Sequence, residues 1–442
     1  MRAHLQRTRE FLFSPRAWKA RAVFWIGAGV VGATAVAFAE ASERAHLLLK
    51  KLVAFSPYAP LVVAPAGFVA VAWITRRWFR GAEGSGIPQS IVALESGRTD
   101  VRDALLSLRV AAGKMALTLV GLLCGASIGR EGPTVHIGAA IMYSLGRFAH
   151  FPAHVLDRGL ILAGGSAGIA AAFNTPLAGI VFAIEEMSRS FEERNSGTML
   201  TAVLLAGFTA LAIQGYYSYF GRTEAFIPPL QAWLPVVACG VLGGLLGGLF
   251  STGIIWGGRA LRPLMSRWPL WVAAGCGLLV GLMGLASGGV TYGTGYEEAR
   301  GLVTGAAGAA PEFAFLKLGA TLASYWSGIP GGIFAPSLAT GAGFGALLVP
   351  WFDAPAGAIV VLGMVGYFAG VVQTPITAFV IVMEMTLGTQ LTLPLMATAF
   401  IGSGTSKLVC PTPIYRALAR NFRPDRVLVP AGGRTTGEGR RP

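Results

Sequence analysis

GREGP, residues 129–133, sets Arg130 and Glu131 between glycines and a proline, straight after the apolar run KMALTLVGLLCGASI of residues 114–128. Proline suits the first turn of a helix, where its missing N–H would have no partner, and glycine lets the preceding backbone turn tightly. The stretch therefore predicts a helix start with a carboxyl group placed on it. A helix start presents unpaired N–H groups and the positive end of the dipole, which together suit an anion. Two more stretches share the layout, GSGIP at 84–88 and GGIFAP at 331–336. One such motif alone is weak evidence, because Gly and Pro punctuate most membrane helices. Three of them in this order define a site that can hold a halide with no full cationic charge touching it. Partial charges worth roughly 0.3–2 kcal/mol per helix end bind an ion that can still leave.

The surroundings are those of a membrane protein. Of 442 residues, 54% are apolar and 13% charged, with 61 glycines and 25 prolines. Apolar runs at 22–39, 60–75, 104–128, 158–184, 199–215, 227–256, 268–290, 354–371 and 391–402 cross or nearly cross a bilayer. Several are short and many carry Gly or Pro, so an all-α polytopic membrane protein with tilted helices, some broken inside the membrane, is expected. The net charge of +14 sits mostly in basic residues flanking apolar runs, with no aromatic-interleaved basic domain, so no nucleic-acid partner is implied. Arg2, Arg7, Arg9, Arg16, Lys19 and Arg21 precede the first run, and Arg76, Arg77 and Arg80 follow the second. With the basic residues from Arg416 to Arg441, they place both termini in the cytoplasm. Arg44, Lys50 and Lys51 weaken the pattern locally, and residues 22 to about 50 read as one long tilted helix whose end residues snorkel. No small-residue cleavage site follows a short apolar core, so no removable signal peptide is expected. Cys124, Cys239, Cys276 and Cys410 stand singly, and His136, His150 and His154 are badly spaced for ligands. Neither a metal site nor a disulfide framework is implied, and the histidines read as structural or interfacial.

The chain also echoes itself. FNTPLAGIVFAIEEM (173–187) and VQTPITAFVIVMEMT (372–386) each place a Thr-Pro pair nine residues before a glutamate, Pro176 before Glu185 and Pro375 before Glu384. Gly164 and Gly363, and Ala170 and Ala369, keep the same offset; PTVHIGA from Pro133 and PSLATGA from Pro336 align with four residues of slippage. This reads as a duplicated unit, with residues 1–220 and 227–420 as the halves and 421–442 as a disordered cytoplasmic tail. Inverted repeats with broken helices are a common plan for secondary transporters, and that relation is the expected one.

On these motifs the chain resembles the CLC family of chloride channels and chloride/proton antiporters, of the prokaryotic type without CBS domains, over about residues 20–420. The resemblance implies that GSGIP, GREGP, GxFxP (Gly332 to Pro336) and a late tyrosine line an anion path. It gives Ser85 and Tyr415 hydroxyl contacts to a central chloride, gives Ile333 and Phe334 backbone N–H contacts, and puts Gly86 and Gly132 in the lining. It also implies chloride and protons as substrates, no cofactor, and a homodimer with one pore per subunit in the cell (inner) membrane. Ser85 follows one basic cluster and Tyr415 precedes another, so both are expected to reach the site from the inner side.

A carboxylate in membrane is costly unless compensated, so Glu131 is a functional candidate. Deprotonated, it is an anion able to take the place of chloride; protonated, it loses that attraction and swings away. One side chain then acts as gate and proton carrier. For the inner end, the resemblance points to Glu186: in antiporters of the family the second glutamate of a matching AIEEM-like stretch passes protons internally, and channels usually lack it. Glu185, paired with Glu384 by the repeat, reads as structural. Chloride/proton antiport is favoured, with a passive voltage- or pH-gated chloride channel as the alternative. Ser85 in an otherwise standard GSGIP favours chloride over nitrate or fluoride in this family. Lys114 either lends positive potential to the path or pairs with an acid. Gln89 stands where the family often has a glutamate, so no acid serves there. GASIG (125–129) and GGSAG (164–168) match the GxSxG nucleophile pattern, but no strand precedes either, and no enzyme is expected.

Overall fold

The computed structural model describes residues 15–148, 158–188, 193–215, 218–222, 227, 229–306, 308 and 310–422. Arg2, Arg7, Arg9, His150, His154 and the tail from residue 423 lie outside these, as does most of the expected junction between the halves.

The described chain is helical almost throughout. The first half holds α1 (Pro15–Phe55), α2 (Pro60–Trp78), α3 (Ile87–Glu95), α4 (Thr99–Leu105), α5 (Leu108–Leu123), α6 (Glu131–Phe148), α7 (Leu160–Phe173), α8 (Pro176–Phe182) with a π-helical turn (Ala183–Ser188), and α9 (Glu193–Gln214). The second half holds α10 (Pro229–Ala260), α11 (Arg262–Arg267), α12 (Pro269–Ala286), α13 (Tyr296–Thr304), α14 (Phe313–Trp326), α15 (Phe334–Leu348), α16 (Ala356–Val372), α17 (Pro375–Thr386), α18 (Thr392–Val409) and α19 (Ile414–Ala419). Helix α1 is unbroken over 41 residues, about 60 Å at 1.5 Å per residue and far longer than the hydrocarbon thickness, as its reading as one long tilted helix requires. Its exception to the positive-inside pattern has a local cause: Lys50 is ion-paired with Glu297.

Seven described helical stretches are long and apolar enough to cross a bilayer, or eight if Thr389–Val409 and Ile414–Phe422, bent by 46°, count as one. The nine apolar runs overcount because run 158–184 splits into α7 and α8, and run 354–371 yields only the short α16. They also miss α15, whose small and hydroxyl residues hide a helix buried through most of its length. Ser166 lies within α7 and donates to the Ala163 carbonyl (3.1 Å), and Ser127 Oγ bonds Thr321 Oγ1 (2.9 Å); neither stands on a strand-to-helix elbow. His136 is structural, its Nε2 bonded to the Leu105 carbonyl at 2.8 Å.

The repeat is visible in the backbone. Helices α7 and α16 both end on a non-glycine residue in the left-handed conformation, Asn174 at φ 55° and Gln373 at φ 58°. The next residues match again, Thr175 at φ −129°, ψ 81° and Thr374 at φ −121°, ψ 84°, before the prolines that open α8 and α17. A methyl group on Gly164 would strike the backbone of Gly138 where α7 crosses α6, and one on Gly363 would strike Gly345 and Gly341 where α16 crosses α15. The slippage of four residues lies in the connection between these helices, 149–159 in the first half against 349–355 in the second. Two buried lysines extend the correspondence. Lys114 Nζ donates to the carbonyls of Gly84 (3.0 Å) and Glu83 (3.4 Å) ahead of α3, and Lys317 Nζ to those of Thr291 (2.9 Å) and Gly293 (2.8 Å) ahead of α13.

Glu185 and Glu384 join the halves. The Glu185 carboxylate accepts from the N–H groups of Ile376 (3.2 Å) and Thr377 (2.6 Å), and the Glu384 carboxylate from those of Leu177 (3.2 Å) and Ala178 (2.8 Å). Each half thus caps the broken helix of the other, satisfying N–H groups that a helix start leaves without partners. The C-terminal end of each helix meets the start of its counterpart, so α8 and α17 run antiparallel, as an inverted repeat demands. Loss of one cap, Glu384→Ala, should destabilise the folded protein by about 1–2 kcal/mol, and Glu185→Ala by a similar amount. Reversible unfolding in a denaturing-detergent titration checks both.

Candidate functional site

Short backbone bridges assemble the site. Gly129 and Gly332 exchange N–H···O bonds of 2.7 Å in each direction. Gly84 N–H donates to the Ile329 carbonyl (3.2 Å) and Gly331 N–H to the Gly84 carbonyl (3.1 Å). The loops ahead of α3, α6 and α15, far apart in sequence, are stitched together, so three helices start from one place. Gly86 caps α3 at φ 99°, which a side chain would strain, and a Cβ there would also crowd His136 at 2.6 Å. A Cβ on Gly132 would strike Ser85, so the starts of α3 and α6 touch. Helix α6 opens at Glu131, and α15 at Phe334 with Ile333 as its cap.

Lys114 does act on an acid, Glu83, and its bonds to the Glu83 and Gly84 carbonyls also brace the approach to α3. Gln89 braces the same loop, its Nε2 donating to the carbonyls of Gly81 (3.0 Å) and Glu83 (2.6 Å). An amide donor does there what a carboxylate cannot.

Two hydroxyls end at this place. Ser85 Oγ and the Tyr415 OH are buried and lie close enough to act on each other, and neither makes a hydrogen bond of normal geometry among the described residues. Leaving a buried hydroxyl unsatisfied costs about 1–3 kcal/mol, so both point to a ligand that accepts hydrogen bonds. Tyr415 is held by stacking on Phe334, with centroids 6.0 Å apart and planes at 21°. Its neighbour Arg416 donates to the Met187 carbonyl (3.5 Å) and pairs with Glu95, tying α19 to the π-helical turn and to α3.

Glu131 is fully buried. Its Oε1 accepts from the Tyr219 hydroxyl at 3.3 Å, and its Oε2 lies against Gly129 near the Ala335 N–H. The carboxylate therefore sits between the starts of α6 and α15. The Arg130 guanidinium acts on it too, while bonded to the Ala39 carbonyl. Glu186, in the π-helical turn, is 1% exposed and so is not the solvated helix end that its place before charged residues would give. Single π turns often mark functional positions. Tyr415 stands close enough to both acids for the charges of Glu186 and Glu131 to act on its hydroxyl. A cavity of about 300 Å³ is lined by Glu43, His46, Arg130, Tyr219 and Glu297, so it adjoins the Tyr219 hydroxyl's partner Glu131. A second, of about 640 Å³, lined by Arg76, Arg80 and Tyr325, adjoins Gly84.

The structure thus brings together Ser85, Gly86, Glu131, Gly132, Ile333, Phe334 and Tyr415, with Glu186 near enough for its charge to act on Tyr415. Sequence reading missed Tyr219, which belongs to no motif; the aromatic stretch YYSYF (216–220) between two apolar runs was the available signal.

A family model described as voltage gated chloride channel matches residues 66–407. The H(+)/Cl(-) exchange transporter ClcA of Cronobacter sakazakii is 30% identical over 367 residues, 78% of this chain and 76% of that protein. ClcA of Yersinia pestis is 30% identical over 390 residues, 81% of this chain and 78% of its own length. Among solved structures, a slow cyanobacterial Cl−/H+ antiporter superposes with a TM-score of 0.79 at 26% identity, covering 91% of this chain and 98% of that one. A CLC-type fluoride/proton antiporter shares the fold, with a TM-score of 0.78 at 23% identity over 90% of this chain and 96% of its own.

Crystals soaked in bromide should show anomalous density beside Ser85 Oγ, the Tyr415 hydroxyl and the N–H groups of Ile333 and Phe334. The Ser85→Ala Tyr415→Phe double variant, which removes two donors to an anion, should weaken halide binding about tenfold or more in titration calorimetry.

Proposed function

The chain belongs to the voltage-gated chloride channel family, and we propose that within it this protein exchanges chloride for protons, with chloride and the Glu131 carboxylate taking turns at one site. The observation that carries the reading is the position of that carboxylate, buried between two helix starts and against the Ala335 N–H, where an anion would be drawn. Charge on Glu131 keeps it there. A proton arriving from the adjoining cavity removes the charge, the side chain withdraws, and chloride enters the vacated place. Deprotonation reverses the exchange, so each ion's passage requires the other's. Chloride at the central position accepts from Ser85 and Tyr415, whose hydroxyls otherwise make no hydrogen bond of normal geometry. Glu186 receives the proton at the inner end, a reading supported by its burial and by the reach of its charge to Tyr415.

The cavity beside Gly84 is the inner vestibule in this reading. Arg76 and Arg80 line it, Arg76 donates to the Met265 carbonyl beside the basic α11, and this basic face is the cytoplasmic one, with both termini on the same side. A homodimer with one pore in each subunit belongs to the same reading. Chloride is the anion and no cofactor takes part.

Proteoliposomes reporting halide and pH together test the reading. An imposed chloride gradient should drive protons uphill in the native protein; chloride movement with no proton movement would make it a passive channel. Glu131→Gln should abolish proton movement and leave chloride passage. Glu186→Gln should stop chloride-driven proton uptake while chloride still flows, and intact uptake would remove Glu186 from the proton path.

A further inference from the structure

Tyr219 lies in none of the anion motifs, yet its surroundings are built around its position. Phe220 N–H donates to the Met385 carbonyl (3.0 Å) and Ser218 Oγ to the same carbonyl (3.4 Å), so the backbone is pinned to the last turn of α17. The Tyr219 ring meets Phe173, Phe220 and Tyr296 edge-on, with centroids 5.4, 4.9 and 4.9 Å away, and the residue is 2% exposed. Three such contacts leave the ring little freedom. Packing of this kind needs only a phenyl ring, but the hydroxyl at its end reaches Glu131 Oε1. Phe173 also touches Phe334, so the same aromatic cluster borders the anion site. On its other side Tyr219 lines the cavity of about 300 Å³ shared with Arg130. Tyr219 therefore stands between that cavity and the carboxylate.

We propose that Tyr219 is a positioning residue that latches the gate: its hydroxyl holds the charged Glu131 carboxylate in the blocking position and so sets how readily an anion displaces it. The proposal rests on the reading of Glu131 as chloride's competitor. A hydrogen bond to a charged acceptor is stronger than one to a neutral acceptor, so protonation of Glu131 loosens the latch at the same moment as the helix ends lose their hold. At 3.3 Å the bond is long, which limits its effect to a few-fold.

The experiment is halide binding by titration calorimetry on the intact protein. Tyr219→Phe keeps the ring and removes the donor. With Glu131 present it should tighten halide binding about three- to fivefold. In the Glu131→Gln background, where no charged gate competes, it should change affinity by less than about twofold. Tyr296→Phe, which alters a neighbouring ring's hydroxyl that accepts from Arg300, should change neither. An unchanged affinity in Tyr219→Phe, or an equal shift in both backgrounds, overturns the latch and leaves Tyr219 as packing. If Glu131→Gln alone fails to tighten halide binding, the rivalry between carboxylate and halide fails and the latch falls with it. If that variant tightens binding and Tyr219→Phe does not, the latch alone falls.

Discussion

Two hydrogen bonds of 2.7 Å between Gly129 and Gly332 are the joint on which the site depends. Each residue precedes a helix start in its own half, and the alignment of Pro133 with Pro336 makes the two glycines equivalent. When a residue is bonded in both directions to its own counterpart, the pseudo-twofold axis passes between the two. Because the axis passes there, the starts of α6 and α15 must converge, and their dipoles add at one place instead of two. The second bridge, from Gly84 to Ile329 and Gly331, brings α3 to the same place. No cation has to enter the path, since the field comes from backbone N–H groups fixed by these contacts.

The glutamate caps show how the joint is kept. Helix α8 is only seven residues long, too short to be stable from its own hydrogen bonds, and it opens on a proline after a residue outside helical geometry. Its N–H groups are satisfied by Glu384 of the other half, and those of α17 by Glu185. Breaking helices inside the membrane leaves backbone groups that lipid cannot solvate, so a broken-helix fold must supply such caps from elsewhere. Glu185 also precedes Glu186 in the same π-helical turn. The bond that closes the fold therefore fixes the register of the inner acid.

Much of this was legible in the sequence, for physical reasons. GSGIP, GREGP and GGIFAP each opened a helix, because proline and glycine act on the backbone locally and need no tertiary context. The offset of Pro176 and Pro375 from Glu185 and Glu384 marked the repeat, although the reciprocal bonding of those acids required the fold. Span counting was less sound. Apolar runs blur where α7 gives way to α8, and α15 is too rich in Gly, Ser and Thr to register as a run. Lys114 could not be assigned because its partners are backbone carbonyls, which carry no residue signature. Tyr219 escaped for a similar reason, since its role comes from a loop pinned to Met385 and not from any spacing. The second-half counterpart of GSGIP, GTGYE at 293–297, carries no proline to mark it and is identified by Lys317, which braces it as Lys114 braces the first.

That counterpart explains how a symmetric scaffold yields a directional site. Gly295 caps α13 in the left-handed conformation, as Gly86 caps α3, so the backbones agree. The side chains do not. After Gly86 come Ile87, Pro88 and Gln89, which bring no charge to the helix start; after Gly295 come Tyr296, Glu297 and Glu298, two acids in the first turn. An anion is welcome at one of these starts and opposed at the other. The same divergence holds beside the axis, where the residue equivalent to Glu131 is Phe334. Duplication supplies converging dipoles in pairs, and substitution then leaves one acid, one aromatic ring and one pair of open hydroxyls around them. Were Phe334 also acidic, two carboxylates would contest a single place and repel each other; were Glu131 apolar, nothing would bind a proton where the anion sits. In the exchange proposed above, a single acid on one side of the axis is what makes the occupancy of the site depend on both ions.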